Sequence, residues 1–437
     1  MLNSRPVSKA ELSFWLGSVV VGFAAVFYAE LVSQVQGIYF NCFSHHPYWI
    51  SLATPLIFVI ATYPVVRFAP DAKGSGIPQV LEAIELAKRS EVSAWGTQLI
   101  SIRTAVIKVI STTLGFFGGA SLGREGPTVQ IASSVFAWIG KRVSGYKTKV
   151  SFQTFLTAGA AAGVAAAFNT PLAGIAFALE ELAEEGFHHF KQWVMVSVII
   201  AGITAQAFLG NYLYFGHPSA DVPSLIVIPE ALLIGVAGGL LGGIFGRLLG
   251  HQRIAFLPKT WWKRALFCGV ICSGINFVTH GNTAGSGYEV TQRFFMGPTQ
   301  AELPMLFAFE KLITTVFSYL SGMAGGIFSP CLSIGAGLGF LIGKIVHLSN
   351  LKACGLFGMV AFFSGVVQAP LTAVIIVTEM TDEHILIIPF LVTAFLAQRF
   401  ASLLMPVPLY KLLAFGLDKT KNDSAKKSLS EVLPDVL

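Results

Sequence analysis

The sequence predicts an all-α polytopic membrane protein built of two inverted-topology repeats of interrupted, tilted helices, and three observations carry that prediction. Charge is scarce: 12% of the 437 residues are charged and 54% are hydrophobic, where a soluble domain carries about a quarter charged residues. The 44 glycines and 20 prolines sit largely inside the apolar runs instead of between them. Three short patterns also recur, in the same order, in the second half of the chain.

The apolar runs fall at Leu12 to Ala29, Trp49 to Val66, Val150 to Leu179, Trp193 to Ala220, Ala265 to Tyr288, Leu312 to Gly343, Ala353 to Thr378 and Ile385 to Gln398. A hydrocarbon core about 30 Å thick takes roughly 20 apolar residues per spanning helix, so the longer runs hold more than one helical piece and the whole predicts roughly ten or more membrane helices. The first run lacks a small-residue cleavage site and is followed by Glu30, which reads as a retained helix and not a signal peptide. Glycine and proline in such runs would damage a bundle of straight helices. Broken backbone is tolerated in a membrane where it is buried in protein or lines a cavity. Interrupted helices around a polar path are therefore expected, a transporter or channel pattern more than an enzyme one.

The connecting segments carry the basic residues. Lys141, Arg142, Lys147 and Lys149 form one cluster, and Arg253, Lys259, Lys263 and Arg264 another, which favours the cytoplasmic side for both. Trp261 and Trp262 beside Lys263 suit an interface anchor. The net charge of +6 is modest, and solvated loop charges account for it without nucleic acid. The five cysteines are scattered with no CxxC pair, so neither a disulfide framework nor a zinc site is expected, and the grouping of Cys42 with His45 and His46 is read as chance. No HExxH, Walker A or dinucleotide fingerprint occurs, so no metal, nucleotide or redox cofactor is expected.

The repeat is read from three matches. Lys73-Gly74-Ser75-Gly76-Ile77 answers to Ala284-Gly285-Ser286-Gly287-Tyr288. Gly118-Gly119 and Glu125-Gly126-Pro127 answer to Gly325-Gly326 and Phe328-Ser329-Pro330. Gly163-Val164, Pro171-Leu172 and Glu180 answer to Gly365-Val366, Pro370-Leu371 and Glu379, with the proline and the glutamate nine residues apart in both copies. The expected division is an N-terminal membrane repeat over 1–215, a C-terminal one over 226–410, and a short polar tail over 411–437 with no regulatory domain. Repeats of this type place the positive ends of discontinuous helices at a midplane site.

That predicts an anion as ligand. A helix N-terminus offers unpaired N–H groups and about half a positive charge without any cationic side chain, and transport needs binding weak enough to release. Three segments read as loop followed by helix start, with proline in the first turn: Gly74 to Pro78, Gly123 to Pro127, and Gly326 to Pro330. Ser75 adds a neutral hydroxyl donor suited to a halide. Glu125 is the odd member, because its carboxylate would repel the ligand. An acid complementing the helix dipole is the ordinary explanation, but an intramembrane glutamate is a functional candidate by default, here as gate or proton carrier.

With these motifs in place, GSGIP at Gly74 to Pro78, GREGP at Gly123 to Pro127, GIFSP at Gly326 to Pro330 and the late Pro408-Leu409-Tyr410, the chain resembles the CLC family of chloride channels and chloride/proton exchangers over about residues 10 to 415. The resemblance implies that Ser75 and Tyr410 give hydroxyls to a central chloride and that the amides of Ile327 and Phe328, after Gly326, join them. It implies backbone donors around Arg124 for a more external anion, Glu125 as gating and proton-exchanging glutamate, and Glu181 as the internal proton-transfer glutamate of exchangers. A homodimeric chloride/proton antiporter in a lipid bilayer follows, expected in a bacterial inner membrane. Interfacial acids among Glu180, Glu181, Glu184 and Glu185 are the plainer account of Glu181. Ser329 departs from the alanine frequent in relatives, and the His188–His189 pair has no role the resemblance assigns. Two alternatives stay open: a passive chloride channel of the same fold, and an intramembrane serine hydrolase, since Gly119 to Gly123 matches GxSxG, a motif that requires a strand-to-helix elbow and a positioned histidine.

Overall fold

Proline and glycine cut each long apolar run into pieces. The run from Val150 splits at Asn169, which stands in the left-handed region at φ 60° and ends one helix, and Pro171 opens the next at a position where its missing N–H costs nothing. The same break recurs at Gln368, also φ 60°, followed by Pro370. The structure, a computed structural model, describes residues 8–89, 98–143, 150–182, 191–210, 213–218, 226–250, 257–297, 303–348 and 350–417.

The first half contains α1 (Lys9–His45), α2 (Pro47–Phe68), α3 (Ile77–Arg89), α4 (Ile102–Phe117), α5 (Glu125–Val143), α6 (Phe152–Phe168), α7 (Pro171–Phe177) and α8 (Lys191–Leu209). The second contains α9 (Ile228–Gly250), α10 (Trp261–Val278), α11 (Tyr288–Met296), α12 (Phe307–Leu320), α13 (Phe328–Ile345), α14 (Leu351–Val367), α15 (Pro370–Thr381) and α16 (Ile387–Leu404), followed by α17 (Leu409–Phe415). The halves correspond element by element. The helices α6 and α14 are both 17 residues long, each opened by a side-chain cap, Ser151 or Asn350, that accepts from an amide three residues on. No strand forms among the described residues, only two isolated bridges.

Six helical stretches among the described residues are long and apolar enough to cross a membrane, and α6, α14 and α15 are shorter apolar pieces. The breaks leave several of the expected membrane helices shorter than a full span. The outer layer turns leucine and isoleucine outward, for instance Leu52, Leu56 and Ile60 on α2, all more than half exposed, as lipid-facing positions require. At the centre, α6 and α14 are almost wholly buried. Small residues let the backbones meet there: a Cβ on Gly163 would touch the backbone of Val129 on α5 at 3.1 Å.

Two features mark the pseudo-two-fold relation. Gly123 and Gly326, each two residues before its helix, pair antiparallel and exchange both backbone bonds, at 2.7 and 2.8 Å, as equivalent residues on either side of a two-fold axis must. Glu180, beyond α7, accepts from the amides of Leu371 and Thr372 at the start of α15, at 2.9 and 2.6 Å. Its counterpart Glu379 accepts from Leu172 and Ala173 at the start of α7, at 3.1 and 2.7 Å. Each half thus caps a helix of the other with a carboxylate, satisfying amides that no intrahelical bond can reach. Replacing Glu379 by alanine is expected to cost about 2 kcal/mol. The measurement is the thermal unfolding midpoint in detergent, and an unchanged midpoint would refute the clamp.

Candidate functional site

The site begins where the broken segments of both halves meet. Gly74 has φ 66°, a left-handed conformation, and there its N–H donates to Met323 O at 3.0 Å while its carbonyl accepts from Gly325 N at 3.0 Å. The loop before α3 is thereby stitched to the loop before α13. The GREGP loop joins through the Gly123–Gly326 pair. A Cβ on Gly126 would collide with Ser75 Oγ and the Ser75 carbonyl, so glycine is what lets α5 begin against Ser75.

This convergence buries Ser75, Ile327, Phe328 and Tyr410 at no more than 1% exposure. The Ser75 and Tyr410 hydroxyls lie close together, and neither finds a hydrogen-bond partner among the described residues. Buried hydroxyls are seldom left unsatisfied. Beside them α13 starts: its intrahelical ladder opens with Cys331 N–H on Ile327 O at 2.9 Å, which leaves the amides of Ile327 and Phe328 ahead of the ladder. The Phe328 ring sits between Phe168 and Phe363, with centroids 4.7 and 4.2 Å away. Two hydroxyls without a hydrogen-bond partner, a positive helix end and an aromatic wall thus stand together, the neutral donor set that a weakly held anion would need. The N–H of Gly326 is spent on Gly123. What Gly326 contributes is its missing Cβ, which would meet Gly123 O at 2.9 Å.

Glu125 is the first residue of α5 and is 1% exposed. Its carboxylate turns to the start of α13: Ser329 Oγ donates to it at 2.6 Å, Ser329 N–H approaches at 3.4 Å, and the Tyr214 hydroxyl donates at 3.4 Å. An anion coming from this side meets a carboxylate already in a seat of hydrogen-bond donors. Outside it lies a cavity of ≈ 230 Å³ lined by Arg124, Tyr214, Glu30, Glu289 and Tyr288 among others. Arg124 donates to Ala29 O at 3.2 Å and stands over the Tyr214 ring. Its side chain therefore faces the mouth, not the central pocket.

Glu181 is 4% exposed and lies in a π-helical stretch, Ala178–Leu182, that extends α7. Neighbouring helical residues point about 100° apart, so Glu180 faces α15 while Glu181 faces elsewhere. It lines a second cavity of ≈ 230 Å³ with Glu82, Glu85, Lys88, Arg89 and Lys411. A third cavity, ≈ 120 Å³, holds Lys73, Gln79, Arg264 and Tyr319. Both are walled by α3 and by the α17 region, so one end of the molecule carries two separate mouths. One mixes three carboxylates with three cations, and the other holds two cations and no carboxylate.

Other expectations fare differently. Ser121, the serine of the GxSxG pattern, is fully buried, with its hydroxyl paired to Thr315 at 2.7 Å and no strand before it; it is no nucleophile elbow. His45 bonds the carbonyl of Asn41 at 2.8 Å, and no metal-holding group occurs among the described residues. His188, His189, Glu184, Glu185, Lys147, Lys149 and Arg253 lie outside the described residues. Tyr214 escaped sequence reasoning because it stands in the connection between the halves, with no motif around it. Lys108 and Lys311 were also missed. They are fully buried, and their ammonium groups bond the carbonyls of the corresponding glycines Gly74 and Gly285 at 2.9 and 2.7 Å. Their rarity as intramembrane cations was the available signal.

Similarity to known proteins agrees with this geometry. The family described as voltage gated chloride channel matches residues 56–402. The H(+)/Cl(-) exchange transporter ClcA of Vibrio cholerae serotype O1 (strain M66-2) is 30% identical over 432 residues, 94% of this chain and 90% of the relative. That of Vibrio parahaemolyticus serotype O3:K6 is 33% identical over 399 residues, 87% of this chain and 82% of the relative. In fold, the chain resembles a slow cyanobacterial Cl-/H+ antiporter with TM-score 0.80 and 24% identity, over 94% of this chain and 98% of the other. It also resembles a CLC-type fluoride/proton antiporter with TM-score 0.75 and 21% identity, over 93% and 99%.

Proposed function

The chain belongs to the voltage-gated chloride channel (CLC) family, and from that premise we propose that it exchanges chloride for protons, with Glu125 as the shared gate. The observation that carries this is the pair of buried, partnerless hydroxyls of Ser75 and Tyr410 beside the first amides of α13. Chloride, held by those four donors, arrives through the mouth of Lys73 and Arg264. It competes with the Glu125 carboxylate for the start of α13. Once Glu125 takes up a proton it loses its charge, leaves the seat, and the anion passes toward Arg124.

The proton needs its own way to the opposite side, because a route lined by chloride donors holds no base. Glu181 supplies a carboxyl group in a cavity separate from that of Lys73 and Arg264. The polar path lies inside an integral multi-pass membrane protein, placed by its bacterial relatives in the inner membrane. The division into repeats over 1–215 and 226–410 is supported by the helix correspondence. The assembly is taken to be a homodimer, as the family resemblance implies. The hydroxyl pair favours chloride as substrate.

The test is coupled flux. Liposomes holding the full chain and loaded with high chloride, in symmetric pH, are expected to take up protons as chloride leaves and so build a pH gradient. Chloride efflux with no proton movement would replace antiport by the passive channel.

A further inference from the structure

We infer that Ser329, backed by Tyr214, is a hydroxyl latch that holds the Glu125 carboxylate in its seat and sets how often the gate opens. The proposal rests on Glu125 being the gate, as put forward above, and adds the part that times it.

Ser329 Oγ donates to Glu125 Oε1 at 2.6 Å, the shortest of the contacts to this carboxylate. The Tyr214 hydroxyl lies 3.4 Å from the same oxygen and 3.4 Å from Ser329 Oγ, closing a triangle of three oxygens. Ser329, Tyr214 and Glu125 are 1%, 4% and 1% exposed, so these bonds are shielded from bulk solvent. A hydroxyl donating to an ionised carboxylate makes a short bond about twice as strong as a neutral one. A low dielectric strengthens it further.

The latch is anchored from three directions. Ser329 is the second residue of α13, in the second half. Tyr214 comes from the segment between α8 and α9, and its ring is wedged edge-on against Phe168, Phe215 and Tyr288 at 6.2, 5.1 and 4.8 Å. Arg124 covers another side of it, 5.7 Å from the ring centre. Glu125 itself comes from α5, in the first half. Swinging out therefore means breaking bonds to the second half and to the connector. With alanine at 329 the carboxylate would keep one long amide contact and one long phenol contact, and the seat would be less exclusive against chloride.

The experiment compares chloride turnover in liposomes holding the full chain. Ser329→Ala is expected to raise turnover about tenfold, the scale of one hydrogen bond to a charged group, with proton movement still coupled. Ser329→Thr, which retains the hydroxyl, is expected to restore the parent rate. Tyr214→Phe is expected to raise turnover by a smaller factor. In a Glu125→Ala background, where there is no carboxylate to hold, Ser329→Ala is expected to add nothing. A Ser329→Ala rate at or below that of the parent overturns the latch, as does an acceleration that persists without Glu125. If Glu125→Ala leaves chloride and proton movement coupled, the gate itself is refuted. If Glu125→Ala uncouples them while Ser329→Ala has no effect, the latch alone is refuted.

Discussion

Glu125→Gln is expected to let chloride flow while proton movement falls by about a hundredfold or more. The amide has the size of the protonated acid and carries neither charge nor a titratable proton. It cannot compete electrostatically with chloride at the start of α13, and the bond from Ser329 Oγ, 2.6 Å in the parent, loses the charge that made it strong. Two readouts follow from this one change. Chloride-driven proton uptake disappears, and chloride flux no longer responds to external pH, because the titrating gate is gone. Simultaneous chloride-electrode and pH-electrode recordings on the same liposomes measure both. A variant that still pumps protons would remove Glu125 from the mechanism. One that moves neither ion would show that the carboxylate is needed for folding or for opening the path.

Glu181→Gln is expected to abolish proton movement to a similar degree, about a hundredfold, and to differ in what it spares. Chloride flux should keep its dependence on external pH, because the proposed gate, Glu125, is still in place. The physical basis is the separation of the two mouths: Glu181 lines the cavity of Glu82 and Lys411, while Lys73 and Arg264 line the other. Removing a titratable group from the first leaves the second untouched. Persisting proton transport in this variant would move the internal relay to another carboxyl of that cavity. A large fall in chloride flux would mean the mouths are not independent. The neighbouring Glu180→Gln provides the contrast, because that residue caps α15; it should alter stability more than coupling.

Several features were legible in the sequence for reasons that can be stated. Proline punctuates backbone locally, so Pro171 and Pro370 could be read as corresponding marks of the two halves, whereas the left-handed turns at Asn169 and Gln368 before them came only with the structure. The proline-to-glutamate spacing also identified the halves. That Glu180 and Glu379 cap each other's helices was not legible, because the bonds cross about two hundred residues of chain and depend on the axis relating the halves. Tyr214 shows the same limit. Nothing around it in sequence has a pattern, and its importance arises only because the connector passes over the mouth of the site.

Which apolar residues face lipid was not legible either, because hydropathy counts apolar residues without knowing what covers them. The helices α6 and α14, apolar and almost wholly buried, contact other helices and not lipid.

By itself the sequence determined the medium, the twofold repetition, the places where helices start, and the residue types able to hold an anion there. These depend on composition and on the dihedral preferences of glycine and proline, which act over a few residues. Only the tertiary structure decided that the starts from both halves meet, that Ser75 and Tyr410 bring partnerless hydroxyls to one pocket, and that Ser329 and Tyr214 close on Glu125. Those contacts join atoms distant along the chain, and packing of the two halves against each other, not any local preference, fixes their separations.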